Sequence, residues 1–110
     1  MALPRLIIDT SDYRGKQVIF THKKWLQKQT VHPELKRAIF LKNVAKTIEN
    51  PDEVWPDYAD KRKRCYYKKY SQTTYVKVVI WHSDTPCRVV TAYEINQVKE
   101  MNYPSLRRIK

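Results

Sequence analysis

His32 stands directly before Pro33 in the run His32-Pro33-Glu34-Leu35. Proline suits the first position of a helix, where its missing N–H costs nothing, so this spacing predicts a helix with His32 at its N-cap. An imidazole there lies beside free backbone N–H groups that can hold a phosphate oxygen. The combination suits acid-base work on a phosphodiester. RNA brings its own nucleophile, the 2′-OH. Cleavage then needs a base for that proton, an acid for the leaving 5′ oxygen and cations for the charge gathered on phosphorus. His, Tyr, Lys and Arg meet all three needs. A lone histidine at a cap is also an ordinary structural residue. His22 and His82 fall at strand boundaries and are read as such.

A second concentration of chemistry lies in residues 61–70, KRKRCYYKKY, with six basic residues and three tyrosines. Period-two alternation puts Arg64, Tyr66, Lys68 and Tyr70 on one face of a strand and Lys63, Cys65, Tyr67 and Lys69 on the other. Cations supply phosphate contacts and tyrosines supply flat surfaces for unpaired bases. The same block also reads as an edge strand whose charges guard against aggregation. The preceding residues 49–60, ENPDEVWPDYAD, hold five acids and no Lys or Arg, so charge is segregated along the chain.

Composition narrows the classes. Over 110 residues, 22 Lys and Arg against 11 Asp and Glu leave a formal net charge of +11, which makes polyanions the default partner. A single glycine, Gly15, excludes the glycine-rich phosphate loops of Rossmann and P-loop proteins. The three histidines lack the short spacings of a zinc site and the carboxylates show no Asp-x-Asp pattern for magnesium, so neither metal nor cofactor is expected. Cys65 and Cys87 are read as free, buried thiols of a reducing compartment. No stretch approaches the roughly 18 apolar residues of a membrane span, and the opening MALPRLIIDTSDY meets an acid too early for a secretory segment. A soluble, cytoplasmic protein with no membrane partner is expected.

The elements that must position these groups follow from periodicity. Leu6–Ile8 and Val18–Phe20 read as two short strands, or as one strand and an extended arm. A weak helical pattern runs from Lys23 to Gln29. Leu35, Ala38, Ile39, Leu41, Ala45 and Ile48 predict one helix from Pro33, stopped by Asn50-Pro51. Beyond it the period changes to two, with candidate strands at 54–58, 62–70, 74–82 and 87–93 joined by short turns, and 94–101 a last helix. On the alternation of the final strand, Cys87, Val89, Thr91 and Tyr93 share a face. The expected fold is α+β, a single domain over 1–110 in which N-terminal helices pack on a four-stranded antiparallel β-sheet, with a basic tail at 103–110.

Several runs together resemble a known family: Thr21-His22-Lys23-Lys24-Trp25-Leu26, His32-Pro33-Glu34-Leu35, Asn50-Pro51-Asp52-Glu53-Val54, the Tyr66-Tyr67 strand, Val76–Ile80 and Val89-Val90-Thr91-Ala92-Tyr93. In order and spacing, over about residues 16–99, they look like the phage-associated branch of the barnase, EndoU, colicin and RelE-like nuclease superfamily. The resemblance implies a metal-independent endoribonuclease working by 2′-OH attack to a 2′,3′-cyclic phosphate, with its site on the open face of the sheet. It implies His32 as general acid or base, Arg64 or its strand neighbours as phosphate clamp, and Thr91 and Tyr93 as groups orienting the phosphate, with Tyr66 a further candidate. Lys63, Tyr67, Lys68, Lys69 and Tyr70 would contact the nucleic acid. The substrate implied is single-stranded or tRNA-like RNA. Toxins of the superfamily are neutralised by acidic antitoxins or immunity proteins, which suits the positive charge. Two other readings stay open: a non-catalytic single-stranded nucleic-acid-binding module, and a basic domain that docks an acidic protein.

Overall fold

A computed structural model describes residues 5–110. The chain opens with a hairpin, β1 (Leu6–Ser11) and β2 (Gln17–Thr21), whose turn places Gly15 at φ +83, a conformation natural to a residue without a Cβ. Asp12 organises that turn: its carboxylate accepts from the backbone N–H groups of Arg14 and Lys16. Thr21 then caps α1 (His22–Gln29), its hydroxyl accepting from the N–H of Lys24 at 3.2 Å.

The segment expected as one helix from Pro33 is broken. Pro33–Lys36 form a single 3-10 turn, Arg37 is extended (ψ 129), and α2 runs over Ala38–Glu49. Two separate burials explain the break. Leu35 is buried from the short turn, whereas α2 buries Phe40, Val44, Thr47 and Ile48 at helical spacing and leaves Ile39 63% exposed. Four strands follow: β3 (Glu53–Pro56), β4 (Lys63–Lys69), β5 (Tyr75–Trp81) and β6 (Cys87–Ile95). In place of a last helix, β6 continues to Ile95 and one 3-10 turn covers Lys99–Asn102. The basic tail is ordered along β3: Ile109 N–H donates to the Val54 carbonyl, and Val54 N–H donates to that of Lys110.

The expectation of N-terminal helices on a four-stranded antiparallel sheet is overturned. The sheet has six strands in the order β1-β2-β6-β5-β4-β3, and the helices come after the first two strands. It is mixed, because β2 runs parallel to β6, pairing Val18 with Cys87 and Ile19 with Arg88. Local periodicity finds a strand but carries no record of a partner so distant in the chain, so the hairpin looked like an appendage.

The helices cover one face, where Val18, Phe20, Val54, Tyr66, Val76, Val78, Ile80 and Val89 meet Leu35, Phe40, Val44 and Ile48. On the opposite face a smaller cluster of Trp55, Cys65, Tyr67, Val79 and Val98 is reinforced by Leu106 of the tail. Cys65 and Cys87 are both free and buried, one in each cluster.

Candidate active site on the outer face of the sheet

One irregularity in β6 decides which side chains face outward. Val79 pairs with Thr91 but the next residue, Ile80, pairs with Val89, so Val90 is an extra residue, a β-bulge. Cys87 and Val89 therefore pack under the helices, while Thr91 and Tyr93 point to the outer face. The simple alternation that joined all four is corrected by this bulge.

The outer face reads as cross-strand rows over β4, β5 and β6. Lys63, Trp81 and Arg88 form the first, Cys65, Val79 and Thr91 the second, and Tyr67, Lys77 and Tyr93 the third. In the third row Lys77 is buried, with its ammonium 5.4 Å from the Tyr67 ring centroid and 5.7 Å from that of Tyr93. It pairs at 2.9 Å with Glu100, also buried, which accepts a hydrogen bond from the Tyr67 hydroxyl as well. Burial opposes both charges. The Tyr67 and Lys77 contacts nonetheless lower the Glu100 pKa, and contacts with Cys65, Glu100 and Tyr93 raise that of Lys77. For Tyr67, burial and then the Glu100 carboxylate push the phenol pKa up, so it stays a neutral donor.

His32 extends this third row beyond the strand. Its ring stacks on Tyr93 with centroids 4.4 Å apart and planes 16° from parallel. β2 leaves β6 after Ile19, so the later part of β6 has a free edge, and the 3-10 turn after His32 docks there. Glu34 accepts from the backbone N–H of Glu94 at 3.1 Å, and Arg37 pairs with Glu94 at 2.8 Å. The Trp25 indole ties α1 to the same turn by donating to the Leu35 carbonyl at 2.7 Å. His32 precedes a four-residue turn instead of a long helix and makes no side-chain capping bond. Its backbone N–H donates to the Lys28 carbonyl at 2.9 Å, and its ring rests on Tyr93. Beside it in the second row, the Thr91 hydroxyl is buried without a hydrogen-bond partner among the described residues.

The first row floors a cleft of about 290 Å³ where β2 and β6 part. Thr21 and Lys24 line it from the junction of β2 and α1, Lys63 and Trp81 from β4 and β5, and Arg88, Val89 and Val90 from β6. Arg62 lies over the Trp81 ring at 4.4 Å and is held by Asp60, while Arg88 pairs with Asp84 at 2.7 Å. At a rise of about 3.3 Å per residue, four residues along β5 separate the cleft row from the Tyr93 row by about 13 Å.

The residues expected to do chemistry are thus divided between two faces. Thr91, Tyr93, Lys63, Tyr67 and Lys69 lie outward, with His32 beside them. Arg64, Tyr66, Lys68 and Tyr70 lie on the helix side. Tyr66 is fully buried and donates to Asp12 at 2.8 Å; burial and that carboxylate raise its pKa. Lys68 donates to the Asn50 carbonyl and Tyr70 to that of Asn43. Sequence reasoning missed Lys24, Trp81 and Arg88 as neighbours, because they come from three elements. Lys77 left a readable signal: it is the lone charge in the apolar run Val76–Ile80.

Among the described residues no three His, Cys, Asp or Glu side chains gather to hold a metal ion, and no helix is long and apolar enough to cross a membrane. A family model described as phage-Barnase-EndoU-ColicinE5/D-RelE like nuclease2 matches residues 5–109. Neither the curated proteins nor the solved structures give a match.

Proposed function

The chain therefore belongs to this nuclease family, and on that premise we propose that it is an endoribonuclease acting on single-stranded or tRNA-like RNA without a metal. In this reading the substrate 2′-OH attacks the adjacent phosphorus, the bond to the 5′ oxygen breaks, and a 2′,3′-cyclic phosphate remains. His32 exchanges a proton with the reacting oxygens. The Thr91 hydroxyl donates to a phosphate oxygen and Tyr93 orients both the imidazole and the phosphate. Lys24, Lys63 and Arg88 hold the flanking phosphates. The observation that carries the reading is the stack of His32 on Tyr93, on the same outer face as the unpartnered Thr91 hydroxyl and the cationic cleft.

The excess of positive charge also fits a cytoplasmic toxin restrained by an acidic antitoxin or immunity protein laid over this face. The test is cleavage of a mixed RNA pool in EDTA by the wild type and His32→Ala, with product ends identified. Cyclic-phosphate ends from the wild type, reduced at least about a hundredfold by the substitution, are expected for loss of a general acid or base. Equal binding by both proteins across many RNAs, with no cleavage by either, would instead make the face a binding module.

A further inference from the structure

The cleft beside the proposed catalytic stack has the chemistry of a base pocket. Its walls combine apolar surface from Trp81, Val89 and Val90 with the cations Lys24, Lys63 and Arg88; among the described residues no carboxylate lines it, and Asp84 pairs with Arg88 from outside the cleft. At about 290 Å³ it lies at the bottom of the range of small-ligand sites, about 300–1,000 Å³, a scale that suits one base and its sugar and not a base pair. Its indole also stands apart. Of the protein's three tryptophans, Trp25 donates to Leu35 and Trp55 to Glu53, whereas the Trp81 Nε1 is buried with no hydrogen-bond partner among the described residues. An indole N–H only donates, and a buried donor left unpaired is costly. That N–H is closed to solvent in the free protein, so the acceptors of a base edge satisfy it only as the side chains over it give way.

We propose that this cleft binds one unstacked nucleotide of a single-stranded RNA, its base against Trp81 and Val90 and its flanking phosphates on Lys24, Lys63 and Arg88. The site thereby selects unpaired RNA, since a base held in a duplex cannot enter. The roughly 13 Å from the cleft to the His32–Tyr93 stack makes the bound nucleotide a neighbour of the reacting phosphate and not part of it. The identity of the ligand rests on the ribonuclease reading above, but occupancy of the cleft is measured without any cleavage.

The experiment uses the full chain and a short 2′-O-methyl RNA, which lacks the 2′ nucleophile. Its partners are the same strand with abasic sites throughout and the same strand in a duplex. Binding is followed by the indole N–H resonances, that of Trp81 being assigned with Trp81→Phe. The single strand is expected to shift the Trp81 signal to saturation and leave Trp55 unmoved. The abasic strand should bind at least about tenfold more weakly, the scale of one lost base-aromatic contact, and the duplex should leave the Trp81 signal in place. Val90→Arg, which fills the cleft from its rim, should abolish the shift. Equal affinity for the abasic strand, or saturable binding with the Trp81 resonance unmoved, would overturn the pocket. Failure of the wild type to cleave RNA while the Trp81 signal responds would sink the ribonuclease reading and leave the pocket standing.

Discussion

His32 and Tyr93 come from a short turn early in the chain and from its last strand, yet their rings stack 4.4 Å apart. Among the described residues the imidazole is therefore held by an aromatic face and by no side-chain hydrogen bond, which in the proposed reaction leaves both ring nitrogens free to exchange a proton. Tyr93→Phe keeps that face and loses the hydroxyl, whereas Tyr93→Ala loses both. On RNA cleavage we expect a loss of about tenfold for Tyr93→Phe, the value of one hydrogen bond to a charged group, and a larger one for Tyr93→Ala. Full activity in Tyr93→Phe would remove the hydroxyl from the mechanism and leave the ring as a support.

Thr91 offers a test that separates stability from function. Its buried hydroxyl has no partner among the described residues, so Thr91→Val should raise stability by about 1 kcal/mol. The midpoint of urea unfolding should rise with its slope unchanged. Cleavage should fall in the same variant. A gain in both would show that the hydroxyl makes no contact with the substrate.

Salt dependence maps the RNA path. Each phosphate neutralised on a single strand contributes about 0.7 to the slope of log affinity against log salt. Lys24→Ala, Lys63→Ala and Arg88→Ala should each reduce that slope by about this amount. Lys68→Ala, on the helix side and bonded to Asn50, should leave it unchanged. A reduced slope for Lys68→Ala with none for the cleft residues would move the path to the other side of the sheet.

Two buried carboxylates set the acid stability. In Asp12, burial favours the neutral form but bonds from Tyr66, Lys16 and Arg14 prevail, and the pKa is lowered; Glu100 behaves alike through Tyr67 and Lys77. A carboxylate more acidic in the folded chain than in the unfolded one stabilises it fully above the ordinary pKa of about 4 and loses that contribution as pH falls below it. Stability followed by thermal unfolding should therefore decline below about pH 4. At neutral pH, Glu100→Gln leaves the Lys77 charge buried and should cost about 3–5 kcal/mol. A loss under about 1 kcal/mol, the scale of an exposed pair, would mean that Lys77 reaches water.

Much of the sheet was legible from period two, because β4, β5 and the start of β6 turn alternate residues toward the helices and the change of period at Pro51 marks where they begin. What escaped depends on distant partners. Nothing near Val18 reports that it will lie beside Cys87, and nothing within residues 87–93 announces that Val90 is the extra residue. That single bulge decided which side chains share the outer face, since it turned Thr91 and Tyr93 outward while Cys87 and Val89 stayed in. His32 was singled out for what an imidazole can do, but the reason for its position was not legible, because the stacking partner lies on the last strand. Alternation divided the basic block between two faces, but nothing local told that the Tyr66 face would serve the core and the Lys63 face the cleft.

The parallel pairing of β2 with β6 also governs when the cleft can form. β2, made among the first residues, has no second neighbour until β6 exists, and the cleft between them needs Lys24, Lys63 and Arg88 together. Because β6 follows every other strand in the chain, the cleft and the Tyr93 stack both wait on its synthesis.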